Sequence, residues 1–95
     1  MQTMQETQEK IAGIMKFISY CLEVGQYQSA VKVAKNSAMT EWLLTQCKKI
    51  IRDYVEQGQS QLLRIFVADM GDAWPEKRED LISEVVSIRI ESCKL

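Results

Sequence analysis

The chain has 95 residues, 46% of them hydrophobic, which suits one folded domain with a modest core and is too apolar for a disordered segment. Charge is nearly balanced, 12 basic against 13 acidic residues, so no strongly basic field marks it for nucleic acid. It contains no histidine, the commonest general acid/base and metal ligand near neutral pH, which removes most hydrolase, metalloenzyme and zinc-finger readings.

The polar, glutamine-rich start MQTMQ is expected to be disordered over residues 1–5. A first helix is expected from about Glu6 to Val24. Ile11, Ile14, Met15, Ile18 and Leu22 recur there at steps of three and four, which places them on one face. Gly25 suits the left-handed residue that closes a helix. A short second helix follows from Tyr27 to Lys35, with Tyr27, Ala30, Val31 and Ala34 as its stripe. The two read as a tight helical hairpin. Asn36, Ser37 and Thr40 supply turn and capping chemistry before the third helix.

The third helix is expected from Met39 to Gln57, with Leu43, Cys47, Ile50, Ile51, Tyr54 and Val55 as the clearest stripe in the chain. Gly58 stops it. The fourth, Ser60 to Met70, carries Leu62, Leu63, Phe66, Val67 and Met70, and Gly71 is expected to end it. The fifth starts around Trp74-Pro75, where proline suits a first turn and Glu76, Glu79 and Asp80 favour the positive helix end. Within it Val86, Ile88 and Ile90 alternate with Ser87, Arg89 and Glu91, a strand-like pattern. Helix is favoured because Leu81, Val85 and Ile88 share a helical face. The expected fold is all-α, about five short amphipathic helices in one domain over 1–95, compact or wrapped around a partner. The alternative is α+β with a C-terminal strand or hairpin, Leu63–Val67 being the candidate partner strand.

Few residues suggest chemistry. Asp69, Asp72 and Glu76 are the densest carboxylates, but they lack cation-loop spacing and read as helix-end charges. Cys21, Cys47 and Cys93 are odd in number and far apart. They read as small buried hydrophobes in a reducing compartment rather than as a disulfide framework. No phosphate loop, nucleophile elbow or C-x-x-C pair occurs, and no cofactor or metal is expected. Lys48, Lys49 and Arg52 form a basic strip which, with Trp42 nearby, is a candidate nucleic-acid contact; a solvated helix face explains it equally well. Trp42 and Trp74 stand at helix starts rather than mid-stripe, as interface anchors do. With Leu43, Phe66 and Met70 they make the candidate partner-binding set, and Trp74 is expected at an interface more than in the core. No apolar run reaches membrane-spanning length and no signal peptide is visible, so an intracellular place, nuclear or cytoplasmic, is expected. The tail Cys93-Lys94-Leu95 is a variant of the peroxisomal S-K-L address.

Four short pieces, in order, carry a family resemblance. Cys21-Leu22-Glu23-Val24-Gly25 resembles an L-[IV]-E-[ST]-G helix end. Cys47-Lys48-Lys49-Ile50-Ile51 is similar to C-K-x-[VI]-I in a long third helix. Phe66-Val67-Ala68-Asp69-Met70 looks like an L-V-A-E-I segment in a fourth, and Pro75-Glu76 falls where proline and an acid precede the last helix. The pattern resembles the enhancer-of-yellow-2 family, small nuclear adaptors of five helices. The departures are Glu41-Trp42 in place of the family's Gly-Trp, at a different distance from Cys47, two shortened segments, and a loop after the fourth helix without its basic residues. The resemblance implies a non-catalytic subunit that wraps a long scaffold helix, in the SAGA coactivator's deubiquitinase module or in transcription-coupled mRNA export.

The leading expectation is therefore a non-enzymatic adaptor that takes an amphipathic partner helix. The alternatives are a self-associating, homodimeric structural or viral accessory protein, and a weak RNA-binding regulator using Lys48, Lys49 and Arg52.

Overall fold

The computed structural model describes the backbone of residues 4–93 and the side chains of residues 7–89. Five α-helices follow one another: α1 (Met4–Glu23), α2 (Tyr27–Asn36), α3 (Thr40–Glu56), α4 (Ser60–Ala73) and α5 (Arg78–Cys93), with a 3-10 turn (Pro75–Lys77) before α5. The fold is all-α; no strand occurs among the described residues. Of the segment 1–5, Met4 and Gln5 belong to α1, and residues 1–3 lie outside the described residues. Lys94 and Leu95 of the peroxisomal-type tail also lie outside them.

One closing device ends the first three helices. At each, an amide reaches back five residues to a carbonyl: Gln26 to Cys21 at 2.8 Å, Met39 to Ala34 at 2.8 Å and Gln59 to Tyr54 at 2.9 Å. This is the hydrogen bond of a Schellman closure, which needs a left-handed residue just before the donor. Those residues are Gly25 (φ 80°), Ala38 (φ 54°) and Gly58 (φ 69°). The two glycines adopt this conformation without a Cβ clash; Ala38 does not have that freedom.

The fourth helix ends differently. Gly71 lies inside it and is buried, which corrects the expectation that Gly71 terminates the helix. The stop comes at Trp74 instead, extended at φ −138°, ψ 70°. A residue before proline is pushed out of the helical region by the pyrrolidine ring, so Pro75 sets the boundary. The missing Cβ at Gly71 leaves room for Arg78, whose Nε would lie 3.2 Å from an added methyl. Arg78 donates to the Gly71 carbonyl at 3.4 Å and to Asp72 Oδ1 at 2.8 Å, tying the start of α5 to the end of α4.

The chain forms two compact units, dividing between Thr40 and Glu41. In the first, α1 and α2 pack as a hairpin. Ile18, Cys21 and Leu22 are buried on α1, and Ala30, Val31 and Ala34 on α2. With 20 residues against 10, α1 is about 30 Å long and α2 about 15 Å, so α2 flanks only the C-terminal half of α1. Ile11, expected in the buried stripe, is 42% exposed.

In the second unit, Leu43, Cys47 and Ile51 are buried at steps of four along α3, while Ile50 is only half-buried. Leu63, Phe66 and Met70 are buried on α4, and Leu81 and Ile88 on α5. The Tyr54 and Phe66 rings meet edge to face at 6.2 Å, joining α3 to α4. Arg52 of α3 donates to Glu84 of α5 at 3.1 Å. The helical outcome at 85–91 has a physical reason. Leu81, Val85 and Ile88 line one side of α5, and Ile82 and Val86 stand about a quarter-turn away, so two adjacent apolar faces interleave in sequence and mimic a strand. The Ile90 side chain lies outside the described residues.

Candidate docking surface

Four of the five residues expected to face a partner are core. Leu43 and Met70 are fully buried, Trp74 is 2% exposed and Phe66 3%. Leu43 shares the helical register of Cys47 and Ile51. Phe66 is taken by Tyr54, and Trp74 follows Met70 directly, its amide donating to the Met70 carbonyl at 2.9 Å. The expectation that Trp74 sits at an interface more than in the core is thus corrected: the pre-proline bend buries the indole. Trp42 is half-buried.

The basic strip is partly committed. Arg52 is held by Glu84, and Lys48 is half-buried; Lys49 is exposed. Asp69, Asp72 and Glu76 do not assemble: among the described residues no three His, Cys, Asp or Glu side chains come together as a metal-binding group. Asp72 instead pairs with Arg78. Cys21 and Cys47 are free and buried. Burial pushes the Cys47 thiol from its ordinary 9.0 up to about 12, so it stays protonated at neutral pH. The Cys93 side chain lies outside the described residues.

What the structure leaves in water is apolar. Phe17 and Tyr20 on α1 and Val24 just past its end are each about half exposed, as are Leu62 and Ile65 on α4 and Ile82 and Val86 on α5. Phe17, Tyr20 and Val24 lie at steps of three and four, a second stripe about a third of a turn from the buried one. Spacing alone shows that stripe, but the stronger Ile11–Leu22 pattern masks it.

On the second unit Ile82 and Val86 border a groove of about 330 Å³ between α4 and α5. Leu63, Arg64, Val67 and Ala68 form its α4 wall. Ile82, Val85, Val86 and Arg89 form its α5 wall. The aliphatic side chains supply an apolar floor, and the only charged residues are two arginines. Among the described residues neither arginine has an ion-pair partner, unlike Arg52 with Glu84 and Arg78 with Asp72. No described helix is long and apolar enough to cross a membrane. Compared with known proteins, the chain matches no family model, no curated protein and no solved structure.

Proposed function

We propose that this chain is a non-enzymatic helical adaptor that holds an amphipathic helix of a larger scaffold protein, in an assembly of the transcription-coactivator or mRNA-export type. The observation that carries the reading is the set of large apolar side chains left exposed on α1, α4 and α5. Scattered exposed hydrophobes are ordinary, but here Phe17, Tyr20 and Val24 align in a helical stripe and Ile82 and Val86 stand beside an apolar groove, the form a helix-in-groove interface takes. The five-helix order and the short motifs around Cys21, Cys47 and Phe66 support the family-type assembly.

The test is affinity capture of the full chain from native extract, read by mass spectrometry. Recovery of deubiquitinase-module or export-scaffold subunits in near-stoichiometric amount is expected. Recovery of the chain alone, or of a second copy of it as the only partner, contradicts the adaptor reading.

A further inference from the structure

We propose that the α4–α5 groove docks an amphipathic partner helix in one direction, with the helix's C-terminal end, rich in carboxylates, placed against Arg64 and Arg89. The proposal deepens the adaptor reading and rests on it.

The direction follows from where charge falls along the groove. The two walls are joined through the turn at Pro75–Lys77, so distance along each helix can be counted from that turn. Arg64 precedes the end of α4 at Ala73 by nine residues, and Arg89 follows the start of α5 at Arg78 by eleven. At 1.5 Å per residue both guanidinium-bearing positions stand about 14–17 Å from the turn, at the same, far end of the groove. Near the turn no acid lines the groove: Asp69, Asp72, Glu79 and Asp80 lie outside its walls, and Asp72 is paired with Arg78. Glu84, the remaining described carboxylate on these two helices, is turned to Arg52 of α3. The groove is therefore apolar along its floor and positive at the far end.

A docked helix carries the matching polarity. Its free amides leave partial positive charge at the N-terminus and its free carbonyls partial negative charge at the C-terminus. Laid with its N-terminus toward the turn, it runs parallel to α5 and brings its negative end to Arg64 and Arg89. Carboxylates in its last turn then add charge-assisted pairs, for which arginine's fork is well suited. From Ile82 to Arg89 the α5 wall covers about 10 Å, two turns of the guest, which calls for apolar residues at i, i+3 or i+4, and i+7. The groove's volume is at the low end of ligand cavities, about 300–1,000 Å³, and suits a few aliphatic anchors.

The test uses synthetic helical peptides of about 15 residues, long enough for an isolated helix to form. All carry the same leucine stripe. One ends in two glutamates, one in two glutamines, and one carries the two glutamates at its N-terminus. Fluorescence anisotropy with the full chain at low salt should show the C-terminal glutamate peptide binding about four-fold tighter than the other two, two rim ion pairs being worth a factor of about two each. Added salt should erase the preference. The Arg64→Gln/Arg89→Gln variant, whose circular dichroism should be unchanged because neither side chain is buried, should bind all three peptides equally. Equal binding by the parent chain, no binding at all, or a preference that survives in the double variant overturns the proposal. Capture from extract separates this from the adaptor reading itself: a scaffold recovered equally by parent and double variant overturns the groove assignment and leaves the adaptor standing.

Discussion

Replacing Trp74 with alanine should destabilise the protein severely. The side chain is 2% exposed and is the largest of the fully buried ones. A buried tryptophan removes about 150–250 Å² from water, which at about 25 cal/mol per Å² is about 4–6 kcal/mol of transfer free energy. Measured truncations of buried aromatics cost about 3–5 kcal/mol. A chain of 95 residues has about 5–14 kcal/mol in total, so a loss near 4 kcal/mol removes roughly a quarter or more of it. The unfolding midpoint should fall by about 15–30 °C, at about 4–8 °C per kcal/mol for a domain of this size. Thermal unfolding followed by circular dichroism reads the shift, and urea titration gives the free energy independently. Trp74→Phe should recover part of the loss. An alanine variant that melts within a few degrees of the parent would show that the indole does not stabilise the core, and the account of the α4–α5 turn would fail.

Ala38→Gly should raise stability by about 1 kcal/mol, because it relieves a left-handed alanine at a helix closure, while Gly25→Ala and Gly58→Ala should lower it by about as much; urea midpoints of the three variants must show opposite signs. Ile51→Asp should unfold the chain, since an unpaired charge in a fully buried position costs several kcal/mol, whereas Ile50→Asp, at a half-buried position, should leave a folded if weakened protein by circular dichroism. Stability should decline above about pH 9: the unfolded Cys47 thiol ionises there, the folded one only near 12, so the unfolded state holds fewer protons in between. This contribution, at most about 1.4 kcal/mol per pH unit, should be absent in Cys47→Ala when urea unfolding is compared at pH 8 and pH 10.5.

Much of the fold can be read from residue spacing. The α1–α2 hairpin, the α3 stripe Leu43-Cys47-Ile51 and the closures at Gly25 and Gly58 follow from periodicity and from glycine's backbone freedom. Two signals mislead. Gly71 looks like a stop but is a packing position for Arg78, a distinction that depends on a contact seven residues away. Ala38 takes a left-handed conformation that its residue type does not announce; only the tight spacing between α2 and α3 requires it.

The candidate surface was less legible, for a related reason. Helical spacing tells which residues are apolar, not which stripe a neighbour covers. A tryptophan at a helix start, such as Trp74, reads as an interface anchor, yet the fold buries it, together with Phe66, Leu43 and Met70, in the core. The residues left outside are medium-sized aliphatics, Ile82 and Val86 among them, on the flank of α5 next to its buried face. Arg64 and Arg89 are unremarkable in the sequence, being 25 positions apart; only the α4–α5 packing brings them to one groove.

The most direct measurement is site-specific photo-crosslinking in native extract, with a photoreactive residue at Val86 in the groove and, as a control, at the exposed Glu56 at the end of α3. The account predicts one dominant adduct from Val86, to a helical segment whose last turn is acidic, lost when Arg64 and Arg89 are glutamine, and none of it from Glu56. An adduct of equal yield from both positions, or no adduct from Val86 while the chain remains folded, would contradict it.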